Sequence, residues 1–325
     1  MVFDLLMDPG INAASQHIAP GITAFFGGCT FLDSMPWYFL VIALVTFGLH
    51  PRYGVRLTTL FGLNSGLNEA VKLACHLPRP YWISDSVAAL SAHSSFGFPS
   101  GAAQSGAVLY GYIATLVRRW WMLIACILLL LATSAARIVS GIHFLLDILG
   151  GWIIGFFLLA VFLLVIPKAE AYAARLSRPA RFLLFTLTAL IPVLLVVPAY
   201  LSISGWQVPD AWAALALHKT GAAISPARIQ FAWGSSGIIF GGLFGYEVLR
   251  YCGGWEPPAD MKRRIILVIA GIISVLAINA VLPAIWRLFG IAETLPPLSA
   301  FLSMAVATFW LIGGFTVIAA RTGWQ

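Results

Sequence analysis

Residues 136–147 read Ala136-Arg137-Ile138-Val139-Ser140-Gly141-Ile142-His143-Phe144-Leu145-Leu146-Asp147, between apolar runs at about 121–136 and 147–167. Runs of this length with few charges are membrane spans, so the Arg, the His and the Asp stand where ionisable side chains are costly and functional by default. With a helix starting near His143, Asp147 falls one turn on, on the same face. Its carboxylate then holds one imidazole nitrogen and leaves the other free to attack, the arrangement of an oriented nucleophile. A polar pair that merely satisfies itself inside a bundle reads the same way at this point.

Working outward, the 325-residue chain is 60% hydrophobic and 10% charged, with a mean hydropathy of +0.92. Continuous rather than alternating apolar runs exclude a β-barrel and predict an all-α polytopic membrane protein. Nine spans are expected, at about 36–49, 57–75, 101–117, 121–136, 147–167, 182–203, 229–249, 265–286 and 298–320. Residues 1–35, broken by Pro9, Gly10, Pro20 and Gly21, read as an interfacial amphipathic segment without the basic start of a signal peptide. Residues 36–167 form a five-span core, 168–181 a basic connector, and 182–325 a four-span C-terminal region. The four cysteines lack the spacing of a metal site or a disulfide framework.

Charge sets the orientation. All Lys and Arg except Lys72, Arg79, Arg137, Lys219, Arg228 and Arg287 fall in loops that nine alternating spans place on one side. By the positive-inside rule that side is cytoplasmic, with the N-terminus outside and the C-terminus inside. The net charge of +7 is then topological, which argues against a nucleic-acid partner.

Three of the outward cations lie in motif-like settings. Lys72 and Arg79 occur in Lys72-Leu73-Ala74-Cys75-His76-Leu77-Pro78-Arg79-Pro80, and Arg137 in the stretch above. Between them lies Phe98-Pro99-Ser100-Gly101-Ala102, where Ser100 and Gly101 open a helix whose N-terminus offers a hydroxyl and free amides to an anion. Three cations, a helix N-terminus and a His–Asp pair at one depth describe a site for a phosphoryl group, with the cations on its oxygens and His143 attacking in line.

These three stretches resemble the type 2 phosphatidic acid phosphatase superfamily, whose pattern is K-x6-R-P, P-S-G-H and S-R-x5-H-x3-D. Lys72, Arg79 and Pro80 match the first element, Pro99, Ser100 and Gly101 the second, and Arg137, His143 and Asp147 the third. The resemblance covers about residues 36–167. It implies phosphate-ester hydrolysis without metal or other cofactor, through a phosphohistidine at His143 oriented by Asp147. Lys72, Arg79, Ser100, Gly101 and Arg137 would hold the phosphate.

Two positions depart from the pattern. Ala136 stands for the usual Ser, and Ala102 stands where the family carries the general-acid His. A positioned acid contributes roughly 10²–10⁴ in rate, so hydrolysis of alkyl phosphates is expected to be slow or absent. The intact surroundings favour a His-to-Ala replacement over a natural pseudoenzyme. His93, in the preceding loop, is a candidate substitute donor, and His76 a further group near the site.

Asn64, Asn68 and Lys72 share a helix face with Glu69 beside them, for interhelical hydrogen bonds or for orienting Lys72. Tyr81-Trp82 reads as an interfacial anchor or as a wall of the substrate entrance. Gly237, Gly241 and Gly245 form a small-residue stripe for packing within the chain or in a homodimer. Nine spans, with Arg79-Pro80-Tyr81-Trp82, resemble the glucose-6-phosphatase and sphingosine-phosphate phosphatase branches. The reading is a phosphatase for a lipid phosphate or prenyl diphosphate in a bacterial inner membrane, its site facing the periplasm. The alternatives are a soluble sugar-phosphate phosphatase and a non-catalytic phospholipid-binding or transport protein.

Overall fold

The computed structural model describes residues 2–324, and among them every regular element is a helix. Five helices are long and apolar enough to cross a membrane: α6 Trp120–Val139, α7 Leu145–Arg175, α8 Arg178–Ser202, α11 Met261–Leu288 and α12 Pro296–Arg321. A sixth crossing arises if α2 with the turn after it, Pro20–Asp33, and α3, Met35–Gly48, count as one span bent by 61°. The other helices of eight or more residues are α1 Pro9–Gln16, α4 Pro51–Cys75, α5 Gly101–Val117, α9 Asp210–Thr220 and α10 Gln230–Tyr251.

The nine expected spans thus all correspond to helices, while α4, α5 and α10 fail the measure of length and apolarity. The reason is compositional. α4 carries Arg52, Arg56, Asn64, Asn68, Glu69 and Lys72, α5 has only 17 residues, and α10 is rich in Gly and Ser. Most of α5 and nearly half of α10 is buried against neighbours, so their hydropathy does not need to match lipid.

α6 shows how sequence sets a face. Cys126, Leu130, Thr133, Ser134 and Arg137 are buried at helical spacing, while Leu123, Ile124, Ile127, Leu128 and Leu131 are exposed on the other side. The inward stripe ends at Arg137.

The chain forms two compact units that cut across the sequential division expected above. One comprises Met1–Ser34, Leu67–Ala160 and Val196–Arg228; the other comprises Met35–Gly66, Val161–Leu195 and Ile229–Gln325. Helices that are neighbours in sequence need not be neighbours in a bundle, and so 196–228 joins the unit of the motif residues. The expected connector 168–181 is also largely helical: α7 runs through Pro167 to Arg175, and α8 begins at Arg178.

In the first unit, α1 and α2 pack on α6. The N-terminal segment is therefore not simply laid on a surface. Asn12 is buried and donates to the carbonyls of Ile138 and His143, both at 2.9 Å. Gln16 donates to the Ala88 and Val139 carbonyls and accepts from the Ala88 amide.

In the second unit, Gly237, Gly241 and Gly245 are buried against the backbone of α12 around Phe301, Ala305 and Phe309. A Cβ on these glycines would run into the chain's own carbonyls, so the stripe serves close packing within the chain. Facing Gly245, α12 passes through a π turn at Trp310–Gly314, where the Trp310 indole donates to Ser274 Oγ at 2.9 Å.

The same unit gathers the basic helix ends. Arg52 and Arg56 both donate to Glu170, Arg181 donates to Glu247, and Arg264 donates to the Gly48 carbonyl. Loops 50–56, 168–181 and 250–264 thus meet at one end of this unit.

Candidate active site

Every sequence-predicted site residue lies in the first unit. α4 brings Lys72, and the turn after it brings Arg79. The start of α5 brings Ser100 and Gly101, the end of α6 brings Arg137, and the loop into α7 brings His143 and Asp147. Lys72, Arg79, Ser100, Arg137, His143 and Asp147 are all buried. Buried charges persist only where partners compensate their lost hydration, and the partners here lie mostly within the same cluster.

His143 is the centre. Its Nδ1 lies 3.1 Å from Asp147 Oδ2, and its Nε2 lies 3.2 Å from an Arg79 guanidinium nitrogen. Arginine has only donors, so Nε2 must be the accepting nitrogen and Nδ1 must carry the proton given to Asp147. The tautomer therefore follows from the partners: a lone pair on Nε2 points toward a cation. Asp147 Oδ2 also accepts the Phe144 amide at 2.9 Å, which closes the turn that begins α7. Burial, reinforced by the Arg79 and Lys72 charges, holds the His143 pKa well below 6.5, which favours the neutral ring.

Lys72 and Arg79 are held mainly by residues 95–97 of one loop. Lys72 Nζ donates to Phe96 O at 2.7 Å and to Gly97 O at 3.3 Å. Arg79 donates to Ser95 O at 2.7 Å, Ser95 Oγ at 3.0 Å, Phe96 O at 3.2 Å and Ile142 O at 2.8 Å. Gly97 allows this convergence, since a Cβ there would lie 2.5 Å from the Pro78 carbonyl and 3.2 Å from Asp147 Oδ2. Arg137 donates to the Thr30 carbonyl at 3.0 Å and faces the Asp33 carboxylate at 3.5 Å. Its Nε is buried without a hydrogen-bond partner, an unfilled donor of the kind a bound anion satisfies.

Ser100 caps α5, its hydroxyl accepting the Ala103 amide at 3.4 Å, while its own amide donates to the Asp147 carbonyl at 2.9 Å. The second and third motifs are thereby joined through backbone. Asn68 donates to Pro99 O at 3.3 Å and Gln104 Oε1 at 2.8 Å, which is the interhelical role foreseen for it. Ala102 is buried on the first turn of α5 and offers no proton.

Three placements differ from expectation. Tyr81 and Trp82 are fully buried rather than interfacial. The Tyr81 hydroxyl donates to the His93 carbonyl and accepts its amide, and Trp82 packs beside Trp212 with ring centres 6.2 Å apart. His76 is turned into an aromatic cluster with Phe96 and Trp206. Residues 206–219 of the second half also belong beside the site loops, Lys219 donating to the carbonyls of Ser84 and Val87. Sequence reasoning missed Asn12, Gln16, Asp33, Trp206 and Trp212, because nothing in their local pattern marks a contact made more than a hundred residues away. Among the described residues, no group of three or more His, Cys, Asp and Glu is placed to hold a metal ion.

A helical membrane protein with an oriented, neutral histidine among buried cations is the class that this fold and site define. Residues 53–171 match the model of the PAP2 superfamily. The chain is also 29% identical over 164 residues to phosphatidylglycerophosphatase B of Bacillus subtilis (strain 168), a match covering 47% of this chain and 74% of the relative. No solved structure matches it.

Proposed function

We propose that this chain is an integral-membrane phosphohydrolase acting on a lipid phosphate or prenyl diphosphate, through a phosphohistidine at His143. The observation that carries the reading is the His143 geometry: Nδ1 engaged by Asp147 and Nε2 left as the accepting nitrogen, facing the Arg79 guanidinium. Nε2 attacks phosphorus while Lys72, Arg79, Arg137, the Ser100 hydroxyl and the Gly101 amide neutralise the phosphoryl oxygens. The imidazolium formed on phosphorylation is stabilised by Asp147, and water then cleaves the P–N bond. The Bacillus relative's name, a phosphatidylglycerophosphatase, supports a lipid substrate. The apolar composition and charge distribution favour a bacterial inner membrane with the site facing outward.

Ala102 shapes the expected activity. An alkoxide leaves poorly without a proton, whereas a phosphate leaves a diphosphate with less help, so residual activity should be greater on a prenyl diphosphate than on phosphatidic acid. Where no other group supplies that proton, Ala102→His should raise phosphatidic acid hydrolysis, by up to ~10²–10⁴, and narrow that gap; equal rates for the two proteins would show that another group supplies it. The test is a parallel assay of both proteins on both substrates in detergent, with acid-labile phosphohistidine trapped from labelled substrate. No turnover and no phosphohistidine in either protein would overturn the reading. The same alanine favours a second reading, a phospholipid-binding protein without catalysis, which predicts lipid phosphate binding with no turnover by the unaltered chain.

A further inference from the structure

The phosphohydrolase reading leaves the departing oxygen without a proton donor at position 102, and the inference here rests on that reading. The titratable groups about His143 are few. Asp147 is committed to His143 Nδ1 and the Phe144 amide. His76 lies in the Phe96–Trp206 aromatic cluster. Lys72 is tied to the Phe96 and Gly97 carbonyls. Glu69 is buried on α4, one turn before Lys72.

His93 differs from all of these. It sits half-buried on the segment 93–97 whose carbonyls and hydroxyl hold Lys72 and Arg79. Its backbone is pinned on both sides by one group: the Tyr81 hydroxyl accepts its amide at 3.0 Å and donates to its carbonyl at 2.7 Å. Tyr81 follows directly on the Arg79-Pro80 pair and is itself fully buried. The position of His93 is therefore set by the same framework that sets Arg79, rather than by a free loop. Its ring interacts electrostatically with Arg79, Arg137, Lys72 and the His143 ring, the groups that define the phosphoryl site.

We propose that His93 is the proton donor to the leaving oxygen. As the P–Nε2 bond to His143 forms, the bond from phosphorus to the leaving oxygen breaks. That oxygen keeps the electron pair and takes the proton of the His93 imidazolium. Water then attacks phosphorus, its oxygen forming the new P–O bond and its proton passing to a phosphoryl oxygen. The P–N bond breaks, its electron pair returns to His143, and inorganic phosphate leaves as the monoanion with His93 neutral.

Burial and the charges of Arg79, Arg137 and Lys72 push the His93 pKa down to about 3 without substrate. A phosphate ester entering among those cations offsets their repulsion, and its monoanion brings the proton with it. The donor is thus charged only when substrate is present.

The test uses the purified full chain in detergent, with His93→Gln and Glu69→Gln, each in the unaltered and the Ala102→His backgrounds. The substrates are short-chain phosphatidic acid, with an alkoxide leaving group, and p-nitrophenyl phosphate, whose phenolate leaves unaided. His93→Gln should lower phosphatidic acid turnover by ~10²–10⁴ and change p-nitrophenyl phosphate turnover little. With Ala102→His present, the same substitution should have little effect on either, because a second donor is in place. Equal losses on both substrates would mark His93 as structural and overturn the proposal. So would no loss, a loss following Glu69→Gln instead, or phosphatidic acid turnover found only with Ala102→His. Failure of every protein on both substrates would overturn the phosphohydrolase reading itself.

Discussion

His143 draws its chemistry from what surrounds it. A histidine in water is half protonated near pH 6.5 and exchanges between tautomers. Here Arg79 allows Nε2 only to accept, Asp147 takes the Nδ1 proton, and burial disfavours the imidazolium. The sign follows directly: a depressed pKa keeps the ring neutral as pH falls through 6.5, and charging requires more acid still. In a ring-labelled sample followed by NMR in detergent, the His143 signals should remain those of the neutral Nδ1–H tautomer at pH 6. A midpoint at or above 6.5 would contradict this account. Arg79, held down to about 10 by burial, remains a cation throughout that range and keeps its place as donor.

At the scale of elements, the site depends on how closely α5 and α7 approach. Gly151 and Gly155 are one turn apart on α7. A Cβ on the first would lie 2.8 Å from the Ser100 carbonyl, and one on the second 2.7 Å from the Gln104 carbonyl. These contacts are with backbone, which cannot move aside as a flexible side chain can. Gly155→Leu should therefore push the helices apart, at a cost of about 1–3 kcal/mol for overpacking. It should also lower activity, since Ser100 and Asp147 are joined across the same junction. Thermal unfolding in detergent checks the first effect. Gly205→Ala, with nothing within 4 Å of the added carbon, is the control and should stay within about 0.5 kcal/mol.

For the molecule as a whole, the topology rests on charge. Cys252 is exposed in the loop 250–264, whose neighbours Arg250 and Arg264 pair with Glu247 and Gly48 in the second unit. The orientation derived from the positive-inside rule puts it in the cytoplasm. With the other cysteines replaced by serine, a membrane-impermeant maleimide applied to intact spheroplasts should leave Cys252 unlabelled until the membrane is opened. A cysteine at the exposed position Asp85, in the loop before His93, should react from outside at once. Labelling of Cys252 from outside would reverse the topology and with it the outward-facing site.

The chain's own order of residues determined that it is helical, where its helices lie, and which side chains form the His143 cluster. Apolar periodicity and motif spacing are local properties, and Lys72, Arg79, Ser100, Arg137, His143 and Asp147 each carry theirs within a dozen residues. Only the tertiary structure decided which other groups meet them. Asn12 reaches the His143 carbonyl across 131 positions, Arg137 meets Thr30 across 107, and Lys219 meets Ser84 across 135. The same holds for Tyr81, which looks like an interfacial aromatic in sequence and proves to be the buried clamp on His93. It holds too for the glycine stripe of α10, which the chain's own α12 covers. A single residue's pattern reports the face on which it lies; the partner on that face is set by how the helices pack, and packing is a sum over the entire chain.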